Sequence, residues 1–279
     1  MTEKDAVPID AIGYWSELKL DIIKEYAQAY TTILSRQPSL SFAYIDGFAG
    51  PGVHLSGLGD WVPGSPLNAL KVQPPFHDYY LIDLDDRRVG LLKKLTADYP
   101  NVHVFGGDCN QILLEKVLPK IQWNDYRRGL CLLDPYGLHL QWQVVAQVGK
   151  MKSIDLFINF PVMDMNMNVL FHDQSKVDPK QAARLTAFWG DGSWRHVAYR
   201  TEGDLFGFPE KATNTVIVNA YRDRLKSVAG FANVPEPIPM RNSKGLEVYY
   251  LFFASQKPVA QKIVKDIFNK YRSRGFQRR

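Results

Sequence analysis

Apolar and polar positions alternate along the chain in a way that predicts an α/β fold. Apolar residues recur at helical spacing from Tyr14 to Ser35, and Pro38 closes that segment. Short apolar runs that are typical of strands then alternate with four amphipathic segments, and the runs are SFAYIDGF, DYYLIDLD, VHVFGGD, RGLCLLDPYG and IDLFINFP. This alternation predicts a parallel sheet with both faces covered, because parallel neighbours need crossover connections.

Two later segments depart from this rhythm. Residues 162–213 predict a mostly helical insertion after the fifth strand, and VPEPIPMRNSKGLEVYYLFFAS predicts an antiparallel hairpin turning at Asn242 to Gly245. Such a hairpin ends the sheet of class I methyltransferases, whereas simple doubly wound dehydrogenases lack it. We therefore expect one domain over residues 1–279 with a Rossmann-like class I methyltransferase fold, a mostly parallel seven-stranded sheet and an N-terminal helix at 12–36.

Composition adds a charge asymmetry to this picture. The chain is 46% apolar and carries a net charge of +5, and from Lys257 onward eight Lys and Arg stand against a single acid, Asp266. Residues 257–279 are thus predicted to form a basic helix and tail that can neutralise phosphates. A solvated terminal helix is the alternative.

The chain is expected to be cytoplasmic, without membrane association, because it shows neither a signal-peptide pattern nor a run of about 18 apolar residues. Its two cysteines, Cys109 and Cys131, lie in apolar runs and are expected to be reduced and buried. Neither they nor the six histidines have the spacing of a metal site.

Acids end four consecutive predicted strands, at Asp46, Asp83, Asp108 and Asp134. Ligands of open parallel sheets bind at the carboxyl ends of the strands, so these side chains are expected to gather around one ligand. Each acid could instead only cap the helix that follows it.

The turn after the first strand, I-D-G-F-A-G-P-G, is poor in side chains. Gly47, Gly50 and Gly52 would let the backbone approach a ligand closely. S-adenosylmethionine (SAM) has no phosphate, so a cationic cradle is unnecessary and Asp46 can meet its amino-acid end, directly or through water.

The next two acids extend the predicted cofactor site. Asp83, with Asp85 as fallback, is placed to accept the ribose hydroxyls, and Asp108 is placed to accept the adenine amino group beside Cys109. The predicted SAM site comprises Asp46, Gly47, Phe48, Ala49, Gly50, Gly52, Asp83, Asp85, Asp108 and Cys109.

The predicted catalytic residues are Asp134, Pro135 and Tyr136. With Gly137 they resemble the D-P-P-Y sequence of amino-methyltransferases, although the second proline is absent. In those enzymes the acid and a backbone carbonyl hold the acceptor amine, the aromatic ring stacks on its base, and alignment supplies much of the acceleration. A structural turn with Tyr136 packed on the sheet edge is the alternative.

Four further residues are predicted to bind substrate. Asn159 ends the fifth strand, while Trp189, Trp194 and Arg195 combine aromatic faces with a cation, which suits nucleobase stacking. The alternatives are a plain strand exit at Pro161 for Asn159 and core packing for the tryptophans.

Several motifs taken together resemble one family, the three-Cys-motif partner proteins (TcmP). The motifs are YIDGFAGPG, GSPLNAL, YYLIDLD, GDCN, LLDPYGL, FWGDGSW and YYLFFAS, and they span nearly the whole chain. The resemblance implies a class I methyltransferase-like protein that works with a radical-SAM-type three-Cys-motif partner, which carries an iron-sulfur cluster, in nucleic-acid repair or modification.

Two hypotheses follow. The first is a SAM-dependent methyltransferase that modifies nucleic acid, with an amino group favoured. The second is a non-methylating accessory protein that binds damaged DNA or the partner. An NAD-dependent oxidoreductase is disfavoured because G-x-G-x-x-G is absent.

Overall fold

A seven-stranded sheet forms the centre of the molecule in a computed structural model that describes residues 7, 9, 11–57, 59–200, 210–242 and 244–277. In chain order the strands are β1 (Ser41–Asp46), β2 (Asp78–Asp83), β3 (Val102–Gly106), β4 (Arg127–Leu133), β5 (Ile154–Phe160), β6 (Ile238–Arg241) and β7 (Glu247–Ala254). Their order in space is β6-β7-β5-β4-β1-β2-β3. Strands β1 to β5 are parallel, and β7 is antiparallel to both β5 and β6. The predicted fold is therefore confirmed.

Ten α-helices surround this sheet among the described residues. They are α1 (Tyr14–Leu34), α2 (Ser65–Leu70), α3 (Asp86–Leu95), α4 (Cys109–Ile112), α5 (Trp142–Met151), α6 (Val162–Asn168), α7 (Pro179–Trp189), α8 (Trp194–Ala198), α9 (Asn214–Ser227) and α10 (Pro258–Gln277). Helix α4 continues as a π-turn and a 3₁₀ turn to Lys120, and another 3₁₀ turn covers Gln174–Lys176. None of the helices in this part of the chain is long and apolar enough to cross a membrane.

The strands bury both faces because residues point to alternate sides of the sheet. Along β1, Phe42 and Tyr44 pack into the core beneath α1 and α10, whereas Ala43 and Ile45 pack into the core on the opposite face. Helix α1 thus covers one face of the sheet, and its apolar stripe explains its position.

Short strands lie where the sequence predicted only loop or helix. Ala11–Ile12, Val53–Ser56 and Trp61–Pro63 form a small sheet after the glycine-rich turn. In the region predicted as a helical insertion, helices α6 to α8 are followed by a strand pair, Tyr199–Arg200 with Glu210–Lys211. Residues 201–209 of that region, like residues 278–279 of the predicted tail, lie outside the described residues.

Candidate functional site

The glycine-rich turn crosses the carboxyl ends of two strands beside β1. The N–H of Gly47 donates to the carbonyl of Leu132 at 3.0 Å, and the N–H of Ala49 donates to the carbonyl of Ile82 at 2.8 Å. The turn is therefore fastened to β4 and β2 by its own backbone. The turn therefore lies across the carboxyl edge of the sheet.

The glycines of this turn serve two different purposes. A Cβ at Gly47 would approach the Leu133 side chain to 2.8 Å, and one at Gly52 would approach Leu92 to 2.9 Å. Gly50 has φ +63°, and the only atom near its Cβ position is on His54, 4.0 Å away. Internal packing explains Gly47. Gly52 is favoured both by packing and by its left-handed backbone, φ +84°, whereas Gly50 leaves open space beside the backbone where a ligand could lie.

Asp83 is fixed against this turn. One carboxylate oxygen accepts from the N–H of Gly50 at 2.9 Å, and the other accepts from the N–H of Asp85 at 2.8 Å. Each oxygen keeps a further lone pair, which suits hydroxyl donors such as those of a ribose. The predicted neighbours Gly50 and Asp83 are thus brought together.

Asp85 instead caps α3. Its carboxylate accepts from the N–H of Arg87 at 2.8 Å and from the Arg87 guanidinium at 2.8 Å. The Arg87 side-chain bond, together with the backbone N–H, lowers the pKa of Asp85 to about 2. Asp85 therefore caps α3 in the structure, and its fallback role at the ribose stays a prediction.

Asp108 and Cys109 lie next to Asp83 at the start of α4. Asp108 accepts from the N–H and from the side-chain amide of Asn110, at 2.8 Å and 2.9 Å. Burial raises the pKa of the Cys109 thiol, and the carboxylates of Asp108 and Asp83 raise it further. Cys109 therefore stays a neutral thiol, which suits contact with a ring and not nucleophilic attack.

Asp46 is enclosed by the turn that it begins. It accepts from the Tyr44 hydroxyl and the Phe48 N–H, both at 3.2 Å, and from the Ser65 hydroxyl, and it has no exposed surface. Burial, opposed by these hydrogen bonds, raises its pKa to about 6, and the nearby Asp134 carboxylate adds to the rise. A ligand could contact Asp46 directly only if the residues that enclose it moved apart.

The carboxylate of Asp134 pairs with a lysine that the sequence analysis missed. Lys19 of α1 places its Nζ on Asp134 and lies 5.2 Å from the centre of the Tyr249 ring. Burial alone would lower the pKa of Lys19, but the carboxylates of Asp134 and Asp46 and the Tyr249 phenol raise it, so the ammonium form persists. A signal existed, because Lys19 precedes the buried Ile22 and Ile23 by one helical turn and so occupies the apolar stripe of α1.

The turn after Asp134 displays Tyr136 to solvent. Tyr136 is 95% exposed while Pro135 is buried, and Gly137 has φ +78°. The Asp164 carboxylate accepts from the N–H of Leu138 at 2.9 Å, which holds the turn. The alternative in which Tyr136 packs on the sheet edge is wrong, and the ring is available to a ligand.

The tryptophans predicted to stack on a base are core residues. Trp189 and Trp194 are only 1% and 4% exposed, and their indole N–H groups donate to Ser193 and Thr186. Arg195 lies over the Trp194 ring at 4.2 Å. The stacking prediction is corrected, because neither indole offers a face to a ligand.

Asn159 lies at the carboxyl edge on β5. It is 7% exposed, and its side-chain oxygen is buried with no hydrogen-bond partner in the described part of the chain. A buried acceptor without a donor is disfavoured by about 1–3 kcal/mol. This atom is therefore a place where a ligand donor would be favourable. No group of three metal-ligating side chains occurs among the residues that the structure describes.

Comparisons with known proteins agree with the fold. No family model matches the chain, and no curated protein matches it in sequence. A Legionella pneumophila protein assigned to family DUF519 is similar with a TM-score of 0.52 at 13% identity, over 90% of this chain and 92% of that chain. The likeness shows a shared fold.

Other solved structures are similar at lower scores. The N-methyltransferase NodS from Bradyrhizobium japonicum, in complex with S-adenosyl-L-homocysteine, has a TM-score of 0.43 at 10% identity, over 88% of this chain and 89% of that chain. A putative methyltransferase from Thermobifida fusca has a TM-score of 0.41 at 17% identity, over 85% and 81%.

Proposed function

We propose that the protein is a SAM-dependent methyltransferase that modifies an exocyclic amino group of nucleic acid. The observation that carries the proposal is the fastening of Asp83 to Gly50, two strands away from the partly exposed Asp134. A hydroxyl-accepting acid, an open glycine backbone and an amine-accepting acid thereby share one edge of the sheet. The class I methyltransferase fold uses this edge for its ligands.

The residues present fit SAM. Its sulfonium is cationic, and the carboxyl edge carries four acids, Asp46, Asp83, Asp108 and Asp134, against one buried ammonium, Lys19. An acidic surrounding favours a cation. When bound, SAM supplies an electrophilic methyl group, whose carbon–sulfur bond breaks as the bond to the acceptor nitrogen forms.

The chain's own residues would then align the acceptor. The Asp134 carboxylate accepts an N–H of the acceptor amine and takes its proton after transfer, and the exposed Tyr136 ring stacks on the base. Holding the nitrogen in line with the methyl group is the main contribution to the rate. Asp83 and the backbone beside Gly50 hold the adenosine.

Exposed apolar side chains in the segments that adjoin the carboxyl ends of the strands support a macromolecular acceptor or partner. They are Trp61, Leu84, Tyr136, Met167 and Leu246, each more than half exposed, and they follow β1, β2, β4 and β5 or precede β7. Exposed apolar side chains gathered on one surface mark interaction sites. We include in the proposal the three-Cys-motif radical-SAM partner that the TcmP resemblance implies.

Calorimetry tests the cofactor site. We expect wild-type protein to bind S-adenosylhomocysteine, and Asp83→Ala to weaken binding at least about tenfold through loss of a charged hydrogen-bond acceptor. Asp85→Ala is the matched control, because it removes a neighbouring acid whose oxygens are engaged by the N–H and the guanidinium of Arg87. No binding by wild type at millimolar ligand would refute the proposal.

The accessory-protein hypothesis remains the second candidate. It is favoured by one observation, the pairing of Asp134 with Lys19, which keeps the proposed amine acceptor engaged by the protein itself. Binding of S-adenosylhomocysteine without labelled methyl reaching DNA, RNA or protein, together with co-purification of the partner, would support it.

A further inference from the structure

Three polar residues share one face of the sheet at its carboxyl edge. Tyr44, Leu132 and Phe157, on β1, β4 and β5, all belong to the core beneath α1. Because side chains alternate along a strand, positions two residues further on face the same way. Those positions are Asp46, Asp134 and Asn159. The contact between Asp134 and Lys19 of α1 agrees with this orientation.

Asp134 and Asn159 occupy matching positions at the ends of two parallel neighbouring strands. Leu133 pairs with Ile158 in the last register step of β4 and β5, so the next step places Asp134 beside Asn159. Neighbouring strands are about 4.8 Å apart. The two residues each offer an oxygen acceptor, and the two acceptors differ in whether the protein supplies a donor. Asp134 is paired with Lys19, whereas the Asn159 oxygen has no donor among the described residues.

This pair matches the hydrogen-bonding needs of an amino group. An exocyclic amine presents two N–H donors, and a carboxylate and an amide oxygen can each accept one. The Lys19 ammonium is itself a nitrogen donor and sits on one of the two acceptors. It is 7% exposed, so it is held inside the edge and not on the outer surface.

We propose that Asp134 and Asn159 together recognise the acceptor amino group, and that Lys19 occupies this place until the acceptor displaces it. The proposal rests on the function proposed above and names two residues for acceptor selection. Lys19 is a positioning residue that keeps Asp134 paired in the resting protein. A ligand that replaces it must offer hydrogen-bond donors to both oxygens, and an amino group with two N–H donors does so from a single atom.

Chemical footprinting tests the displacement in the full chain. Reductive methylation with formaldehyde would be followed at Lys19 by mass spectrometry, with the exposed Lys24 of the same helix as internal control. The probes are a single-stranded oligonucleotide containing adenine and cytosine and a matched one containing purine and 2-pyrimidinone, each with S-adenosylhomocysteine. We expect the first oligonucleotide to raise the labelling of Lys19 by about tenfold and the second to leave it unchanged. The labelling of Lys24 should be the same in all samples.

Kinetics of two variants test the exchange independently. Lys19→Met removes the competing donor, so the KM for the amino-bearing oligonucleotide should fall by about tenfold, with a smaller change in kcat. Lys19→Arg restores a donor and should return KM toward the wild-type value. Asn159→Leu should raise KM and leave S-adenosylhomocysteine affinity unchanged.

Several outcomes would overturn the proposal while the cofactor site stands. In the labelling experiment, the contradicting result is that Lys19 is labelled equally in the free protein and with either oligonucleotide, and so stays protected with both while S-adenosylhomocysteine binds. In the kinetic experiment, it is a loss of kcat in Lys19→Met without a change in KM. Failure of wild type to bind S-adenosylhomocysteine refutes the proposed function instead, and the acceptor pair is refuted with it.

Discussion

The two edges of the central sheet carry opposite chemistry. The carboxyl edge gathers Asp46, Asp83 and Asp134. At the amino edge, a cavity of about 510 Å³ is lined by Lys150, Lys152 and Lys257 with Trp123 and four neutral residues, and by no acid. The first edge suits a cationic cofactor and an amine, and the second suits anions. Under the proposed function, the sulfonium and the phosphates would therefore be recognised at opposite edges of the sheet.

Burial raises the pKa of one carboxyl group near each edge, Asp155 and Asp46, and the two groups serve different ends. Asp155, at the start of β5, accepts from the hydroxyls of Tyr26 and Ser255, and burial raises its pKa. Its partners tie α1 and β7 to the sheet. Asp46 is fully buried, and it shares its surroundings with Asp134 and Lys19. A buried carboxyl is therefore no sign of a site by itself, and the neighbouring groups decide.

The largest effect is expected from replacing one acid at each edge. Asp134→Ala should lower methyl transfer to the amino-bearing oligonucleotide by about a thousandfold, because the acceptor amine loses its preorganised hydrogen-bond partner. Asp155→Ala should leave the activity per folded molecule near wild type while lowering the free energy of unfolding by about 1–3 kcal/mol. Labelled-methyl transfer and urea unfolding measure the two effects. An equal loss of methyl transfer in both variants would contradict the different roles assigned to the two edges.

A pH dependence of stability should follow from Asp46. Its pKa of about 6 in the folded protein, against 3.8 ordinarily, means that the fold prefers the protonated form. Its contribution to stability is therefore full below about pH 4 and is lost as the pH rises to 6, a change of about 3 kcal/mol. In urea unfolding, the free energy of wild type relative to Asp46→Asn should fall by this amount between pH 4 and 7. A difference that does not vary with pH would contradict the assignment.

Two glycine substitutions should change the free energy of unfolding in opposite directions. Gly50→Ala forces a side chain into a left-handed conformation, φ +63°, and should destabilise by about 1–2 kcal/mol and weaken S-adenosylhomocysteine binding. Gly90→Ala in α3 meets nothing within 4 Å and should stabilise by up to about 1 kcal/mol through helix propensity. Thermal unfolding and calorimetry would show this. Unchanged ligand affinity in Gly50→Ala would remove that residue from the cofactor site.

The smallest effect is expected from the basic C-terminal helix. Truncation from Lys270 should weaken DNA binding and flatten its salt dependence, each lost phosphate contact reducing the slope by about one. Lys270 also pairs with Glu25 at 2.7 Å, so a Glu25→Gln variant controls for loss of that contact. Substituting Gln at Lys150, Lys152 and Lys257 tests the amino edge in the same titration. An unchanged slope after truncation would show that the helix end makes no phosphate contact.

Much of the fold could be predicted from the sequence. Strand and helix periods, the glycine-rich turn and the hairpin led to the correct class, because each of these signals is local. The acids were also found by position, since a residue that ends a parallel strand must lie at the carboxyl edge. The small sheet after the glycine-rich turn and the strand pair near Tyr199 were missed, because strands of two to four residues carry almost no periodicity.

The roles of individual side chains were decided only by the tertiary structure. The sequence by itself determined which acids reach the carboxyl edge. It did not determine that Asp85 caps α3, that Trp189 is sealed in the core, or that Lys19 reaches Asp134 from a helix 115 residues away in sequence. Burial and pairing depend on which surfaces meet when α1 packs on the sheet. That packing consists of many contacts between residues far apart in sequence, so no local sequence pattern predicts it.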